Sequence, residues 1–164
     1  MSALRVGFGF DSHRLTPGRP LVLGGVLIPH ELGLEGHSDA DVLVHAVIDA
    51  LLGAAGQGTI GERFPDDDPS YRGADSLELL AGVWRELSGA GYEIGNLDCV
   101  IHAEGPRLAP YLPEMRRRLS ETLGIPESDV SVKPKTGEAM GAIGRGEGMA
   151  ALAVVLLHCP PRKG

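Results

Sequence analysis

At 164 residues the chain has the length of one domain, enough to bury roughly 70% of its unfolded surface around a core without staples. Its formal net charge of −7 lacks the basic footprint that a nucleic-acid partner requires, so any anionic ligand has to be held locally by metal ions or backbone amides. No apolar run reaches the roughly 18 residues of a membrane span, and no basic-then-apolar leader opens the chain, so no membrane and a cytoplasmic location are the expectation.

Residues 4–13 open as an alternating strand and end with Asp11 and His13 two residues apart, hence on one face. Residues 14–19 read as a loop, 21–29 as a short hairpin turned by Gly24-Gly25, and His30 as exposed; 31–36 is a further loop. It delivers the chain to His37-Ser38-Asp39-Ala40-Asp41, where Ser38 fits a helix N-cap and Asp41 the carboxylate of a short capping box. Leu43, Ala46, Val47, Ala50, Leu51 and Ala54 then give one apolar stripe, with Gly53 and Gly56 marking the end. Asp41, His45 and Asp49 form a polar stripe beside it, so Asp49 could orient the His45 imidazole from one turn away. Joined in space, Asp11, His13 and His45 would be a one-Asp, two-His set suited to zinc or another borderline divalent metal, with a fourth position open. A hydrogen-bonded histidine at the edge of a core is the plainer alternative.

Residues 57–75 hold turn formers without a clear period, and Asp66-Asp67-Asp68 lacks the spacing of an EF-hand, so a solvated turn is favoured over a cation loop. A second helix spans about 75–88, a strand 96–103, a turn 105–110 and a third helix 111–123, with Arg116-Arg117-Arg118 on its solvated face. Cys99 and Cys159 lie in apolar runs and read as buried free thiols. From Val130 a strand runs into Lys135-Thr136-Gly137-Glu138, a point charge, a hydroxyl and a carboxylate able to hold phosphate and magnesium; an ordinary exposed turn is the alternative. Gly144-Arg145-Gly146-Glu147-Gly148 is neither a Walker loop nor a dinucleotide fingerprint, and residues 149–158 are a buried apolar element. One Asn and one Gln beside 12 prolines is a composition common in heat-adapted proteins.

Gly9-Phe10-Asp11-Ser12-His13, His37-Ser38-Asp39-Ala40-Asp41, the run from His45 to Gly53, and Gly144-Arg145-Gly146-Glu147-Gly148 stand in fixed order. Together they resemble the signatures of the 2-C-methyl-D-erythritol 2,4-cyclodiphosphate synthase family, from about residue 4 to 157. The resemblance implies an α+β fold, a four-stranded mixed sheet with helices on one face, in a homotrimer with active sites between subunits. It implies a cytidine diphosphate substrate, 4-diphosphocytidyl-2-C-methyl-D-erythritol 2-phosphate, cyclised with loss of CMP. Asp11, His13 and His45 would hold zinc (manganese or cobalt as substitutes), and Glu138 would bind magnesium or manganese with the diphosphate.

His37 and Thr136 would be the catalytic side chains. Substrate contacts would extend over Asp11, Ser12, His13, His37, Ser38, Thr59, Ile60, Gly61 and Phe64-Pro65-Asp66-Asp67-Asp68. They would continue through Ala103-Glu104-Gly105-Pro106-Arg107-Leu108-Ala109, which would cradle the cytosine, and Lys135 to Glu138. Ala142 and Arg145 would face a central cavity, with Phe8, Phe10 and Glu147, that can take an isoprenoid diphosphate. The chain departs from the family at Thr59, often Asp, at Lys135 and Gly137, threonines in some relatives, and at Ala142, where some have Phe. The rival reading is a non-catalytic metal-binding trimer that binds a nucleotide or isoprenoid diphosphate as a regulator; a structural zinc would have four protein ligands, and only three stand out here.

Overall fold

The computed structural model describes residues 3–65 and 67–159. Its sheet is built on β1 (Leu4–Pro17), which pairs antiparallel with β7 (Gly148–His158) from Leu4↔His158 to Arg14↔Gly148. β7 pairs antiparallel with β5 (Glu93–His102), and β5 pairs parallel with β6 (Val130–Lys135). The far end of β1 also pairs with β4 (Leu32–Leu34), through Leu15↔Leu34. The mixed sheet therefore has five strands, in the order β4-β1-β7-β5-β6, where four were expected. Residues 15–17 and 32–34 lie in stretches expected as loop, and each is a strand only because the other supplies its partner. β2 (Leu21–Leu23) and β3 (Val26–Ile28) form the expected separate hairpin, with Gly24 and Gly25 at φ +58° and +73°; two successive positive φ values are what a two-residue hairpin turn needs.

The helices are α1 (Val42–Ala55), α2 (Ile60–Arg63), α3 (Ser76–Gly89), α4 (Leu112–Leu123) and α5 (Gly141–Gly144). α1 is the centre of the core. It lies on β1 and β7 and is covered by α3, so Val44, Ile48 and Leu52 are buried as well as the expected stripe. An all-round apolar helix has protein on every side. Its close approach to the sheet depends on Gly7 and Gly9, whose faces in β1 point at it. A Cβ at Gly7 would stand 1.8 Å from the Ala50 carbonyl oxygen, and one at Gly9 1.9 Å from that of Ala46.

The cap of α1 differs from the sequence reading. Asp41, fully buried, is the N-cap: its carboxylate accepts from the amides of Val44 (3.1 Å), Gly24 (3.0 Å) and Gly25 (2.7 Å). One side chain thus closes the helix start and ties it to the turn of the β2–β3 hairpin. Asp41→Ala leaves three amide donors without this acceptor, one of the bonds being short, and should cost about 2–4 kcal/mol. Urea unfolding checks this; a loss below about 0.5 kcal/mol, the scale of an ordinary surface change, would show that water replaces the carboxylate.

On the opposite face of the sheet the even residues of β1 are uncovered: Leu4, Val6, Phe8 (60% exposed) and Phe10 (53%), with Val154 of β7 beside them. Cys99 is buried and its thiol is pushed up to about 12 by burial, whereas Cys159, expected to be buried, is only partly so.

Candidate active site

The alternation of β1 puts Asp11 and His13 on the α1 side, two and four residues beyond Gly9, where the helix begins. His45, in the first turn of α1, meets them there. His13 Nε2 lies 2.8 Å and His45 Nδ1 2.9 Å from the same Asp11 oxygen, Oδ2, and the two ring nitrogens are 3.3 Å apart. Among the described residues this is the one group of three or more His, Cys, Asp or Glu side chains whose donor atoms converge. A tetrahedral zinc shell with bonds near 2.0–2.1 Å spaces its ligand atoms by about 3.3 Å. The triangle therefore fits a divalent ion after small outward movements. Burial raises the Asp11 carboxyl, but the two imidazoles outweigh it and hold the group well below the usual carboxylate range.

The cluster opens on a cleft also lined by His37, Ser38, Ile60, Gly61, Phe64 and Pro65. Gly36, Tyr71 and Leu79 line it too, although nothing in their local sequence signalled a site. His37 is held indirectly: Arg19 donates to the carbonyls of Gly36 (2.8 Å) and Ser38 (2.7 Å), clamping the loop on both sides of it. Thr59 caps α2 in a capping box with Glu62, so its hydroxyl is already engaged by the Glu62 amide. Asp68 caps the turn at Pro69–Tyr71 by accepting from Ser70, Asp67 is exposed, and the expectation for Asp66 lies outside the described residues.

The role expected of Asp49 is corrected. Its carboxylate accepts from the Ile60 amide at 2.6 Å and so fixes the start of α2; burial raises its pKa, opposed by that hydrogen bond. The far nitrogen of His45, Nε2, instead faces Ser76 Oγ at 2.9 Å and Ser38 Oγ at 3.2 Å. Ser76, the first residue of α3 and fully buried, hydrogen bonds through both its amide and its hydroxyl to Asp39. Neither residue was singled out as a partner of His45, because α3 begins 31 positions away.

A second cleft is lined by Ala103, Glu104, Pro106, Arg107, Leu108, Ala109, Pro134, Lys135 and Thr136 and shares no lining residue with the first. Thr136 Oγ1 donates to Glu138 Oε1 at 2.9 Å, and Glu138 and Ala139 stand at φ +50° and +58°. Such values are costly away from glycine. Glu104 supplies part of the compensation, its two carboxylate oxygens accepting from the amides of Gly137 (2.9 Å) and Ala139 (3.3 Å) on either side of Glu138. Ala142 and Arg145 lie exposed on and just after α5, and Arg145 pairs with Glu147 at 2.6 Å. Gly105 is half-buried beside the second cleft and Ser12 lies next to α5.

Fold and site thus define a single-domain α+β protein with a candidate divalent-metal centre in one cleft and a polar loop of Lys135, Thr136 and Glu138 at another. The model of the YgbB family matches residues 4–158. The 2-C-methyl-D-erythritol 2,4-cyclodiphosphate synthases of Geobacillus kaustophilus and Moorella thermoacetica are 58% and 56% identical to this chain over 154 residues, covering 94% of it and 98% and 94% of themselves. A solved structure of 2C-methyl-D-erythritol-2,4-cyclodiphosphate synthase with CDP bound superposes with a TM-score of 0.86 at 40% identity, over 93% of this chain and 99% of that one. The CDP complex of the Plasmodium falciparum protein gives 0.84 at 31% identity, over 97% and 98%. The chain belongs to the YgbB family.

Proposed function

We infer that the chain forms 2-C-methyl-D-erythritol 2,4-cyclodiphosphate from 4-diphosphocytidyl-2-C-methyl-D-erythritol 2-phosphate and releases CMP, in the non-mevalonate route to isoprenoids. The observation that carries this is the convergence of Asp11, His13 and His45 on one point beside His37, in a chain more than half identical to synthases of that name. An oxygen of the 2-phosphate attacks the β-phosphorus, the bond from β-phosphorus to the oxygen bridging to the α-phosphorus breaks, and CMP departs with that oxygen. The nucleophile is already a phosphate anion, so catalysis is positioning and charge neutralisation and needs no general base.

The loop clamped by Arg19 presents His37 to the attacking phosphate. Thr136, oriented by Glu138, holds the leaving side, and Glu104 keeps both in place through the amides of Gly137 and Ala139. The stretch Ala103 to Ala109 takes the cytosine. A divalent ion on Asp11, His13 and His45, zinc by the donor set with manganese or cobalt as substitutes, would polarise the β-phosphate, while magnesium or manganese on Glu138 would offset charge on the substrate's diphosphate as CMP departs. Incubation with substrate, zinc and magnesium should release CMP. Tight substrate binding without CMP above a metal-free control would instead favour the regulatory trimer.

A homotrimer is supported by the uncovered apolar face of the sheet and by the separation of the two clefts, since one substrate has to reach both. Its centre would hold Phe8 and Phe10, with the Arg145–Glu147 pair offering a cation to an isoprenoid diphosphate. A cytoplasmic enzyme is the companion reading; among the described residues no helix is long and apolar enough to cross a membrane. Mixing inactive His45→Ala chains with inactive Arg107→Ala chains should restore activity in hybrid trimers. Absence of rescue after verified subunit exchange would mean that each chain carries a whole site.

A further inference from the structure

We propose that Ser76 and Asp39 are positioning residues that fix a proton on His45 Nε2 and so reserve Nδ1, the nitrogen facing Asp11, for a metal ion. The inference rests on reading Asp11, His13 and His45 as a metal site, and its chemistry is carried by a proton count. A serine hydroxyl has one proton and a carboxylate has none to give. Ser76 Oγ donates its proton to Asp39 Oδ1, and the Ser76 amide donates to Oδ2 of the same carboxylate at 3.0 Å. The Asp41 amide, 3.2 Å from Oδ1, adds a third donor and fixes Asp39 from its own loop.

With its proton committed, Ser76 Oγ can only accept on the side facing His45 Nε2, 2.9 Å away. Two lone pairs at that distance would repel, so the proton between them belongs to Nε2. Ser38 Oγ, 3.2 Å from the same nitrogen and itself accepting from the Ala40 amide, is a second acceptor for that proton. A neutral imidazole protonated on Nε2 has no proton on Nδ1. His45 Nδ1, 2.9 Å from Asp11 Oδ2, is then the nitrogen whose lone pair a cation between the two would engage. Ser76 is fully buried at the first turn of α3, so water does not compete for this contact.

The test uses the full-length metal-free protein labelled with ¹⁵N at histidine. Long-range ¹H–¹⁵N correlation should show His45 protonated on Nε2 in the wild type, and Ser76→Ala should lose that signature. Zinc affinity, measured by competition with a chromophoric chelator, should fall about 10- to 100-fold in Ser76→Ala, and Ser76→Thr, which keeps the hydroxyl, should recover most of it. Asp39→Asn, nearly equal in volume, should shift both readouts in the same direction and serves if Ser76→Ala folds poorly. A wild-type His45 without a proton on Nε2, or variants with unchanged Nε2 protonation and zinc affinity, would overturn the inference. A tautomer that depends on Ser76 in a protein that takes up no zinc supports the positioning role and sinks the metal reading alone.

Discussion

His45→Ala should abolish CMP release and zinc uptake while leaving the fold in place. The imidazole supplies one of three converging donor atoms, and Asp11 and His13 alone are one fewer than a catalytic zinc site uses. Loss of an outer-shell partner typically costs 10- to 100-fold in metal affinity or activity, so loss of a ligand should exceed about 100-fold in both. Stability should change little by comparison, because His45 sits at the cleft edge of α1 rather than among its packed apolar residues, and water can reach the hydroxyls it leaves. Metal analysis beside circular dichroism reads the two effects separately. Zinc bound at one ion per subunit in a folded variant would refute the assignment.

Gly9→Ala should damage both the fold and the site, although it adds a single methyl group. That methyl would lie 1.9 Å from the Ala46 carbonyl oxygen and 2.7 Å from the Ala50 amide nitrogen, which are backbone atoms with no alternative rotamer. Reaching ordinary contact requires α1 to withdraw from β1 by about 1 Å or more, and helix and strand are close-packed elements that resist this, so the expected cost is about 2–4 kcal/mol. Ala46 follows His45 directly, so the same displacement pulls the imidazole from Asp11 and His13; misplacement on that scale can cost about 100-fold in rate. Gly82→Ala in α3 is the control: nothing lies within 4 Å of its added methyl, and helix propensity predicts a gain of about 0.5–1 kcal/mol. Denaturant unfolding and steady-state kinetics on both variants decide the matter, and a Gly9→Ala protein with wild-type stability and rate would show that the close approach is not required.

Part of this was readable from one dimension. A period of two puts Asp11 and His13 on the same side as Gly7 and Gly9, and the structure has all four facing α1. The glycine pair at 24–25 marked the hairpin, and the expected helix at about 75–88 matches α3 to within a residue at each end. Periodicity reports which side of its own element a residue occupies. It carries no information about what another element brings to that side. β4 therefore escaped notice, since three residues are too few to show a period and acquire strand geometry from Leu15 and its neighbours. Asp41 rather than Ser38 became the helix cap because the hairpin amides of Gly24 and Gly25 meet its carboxylate there. Asp49, correctly placed one turn from His45, turned to the Ile60 amide, while the imidazole found Ser76 from a helix that begins 31 positions later. Residue types and spacing determined which side chains this protein can offer to a metal or a phosphate. The pairing of those groups into donors and acceptors was decided by the packing of α1 and α3, because a hydrogen bond is set by distances of a few ångströms that no sequence interval specifies.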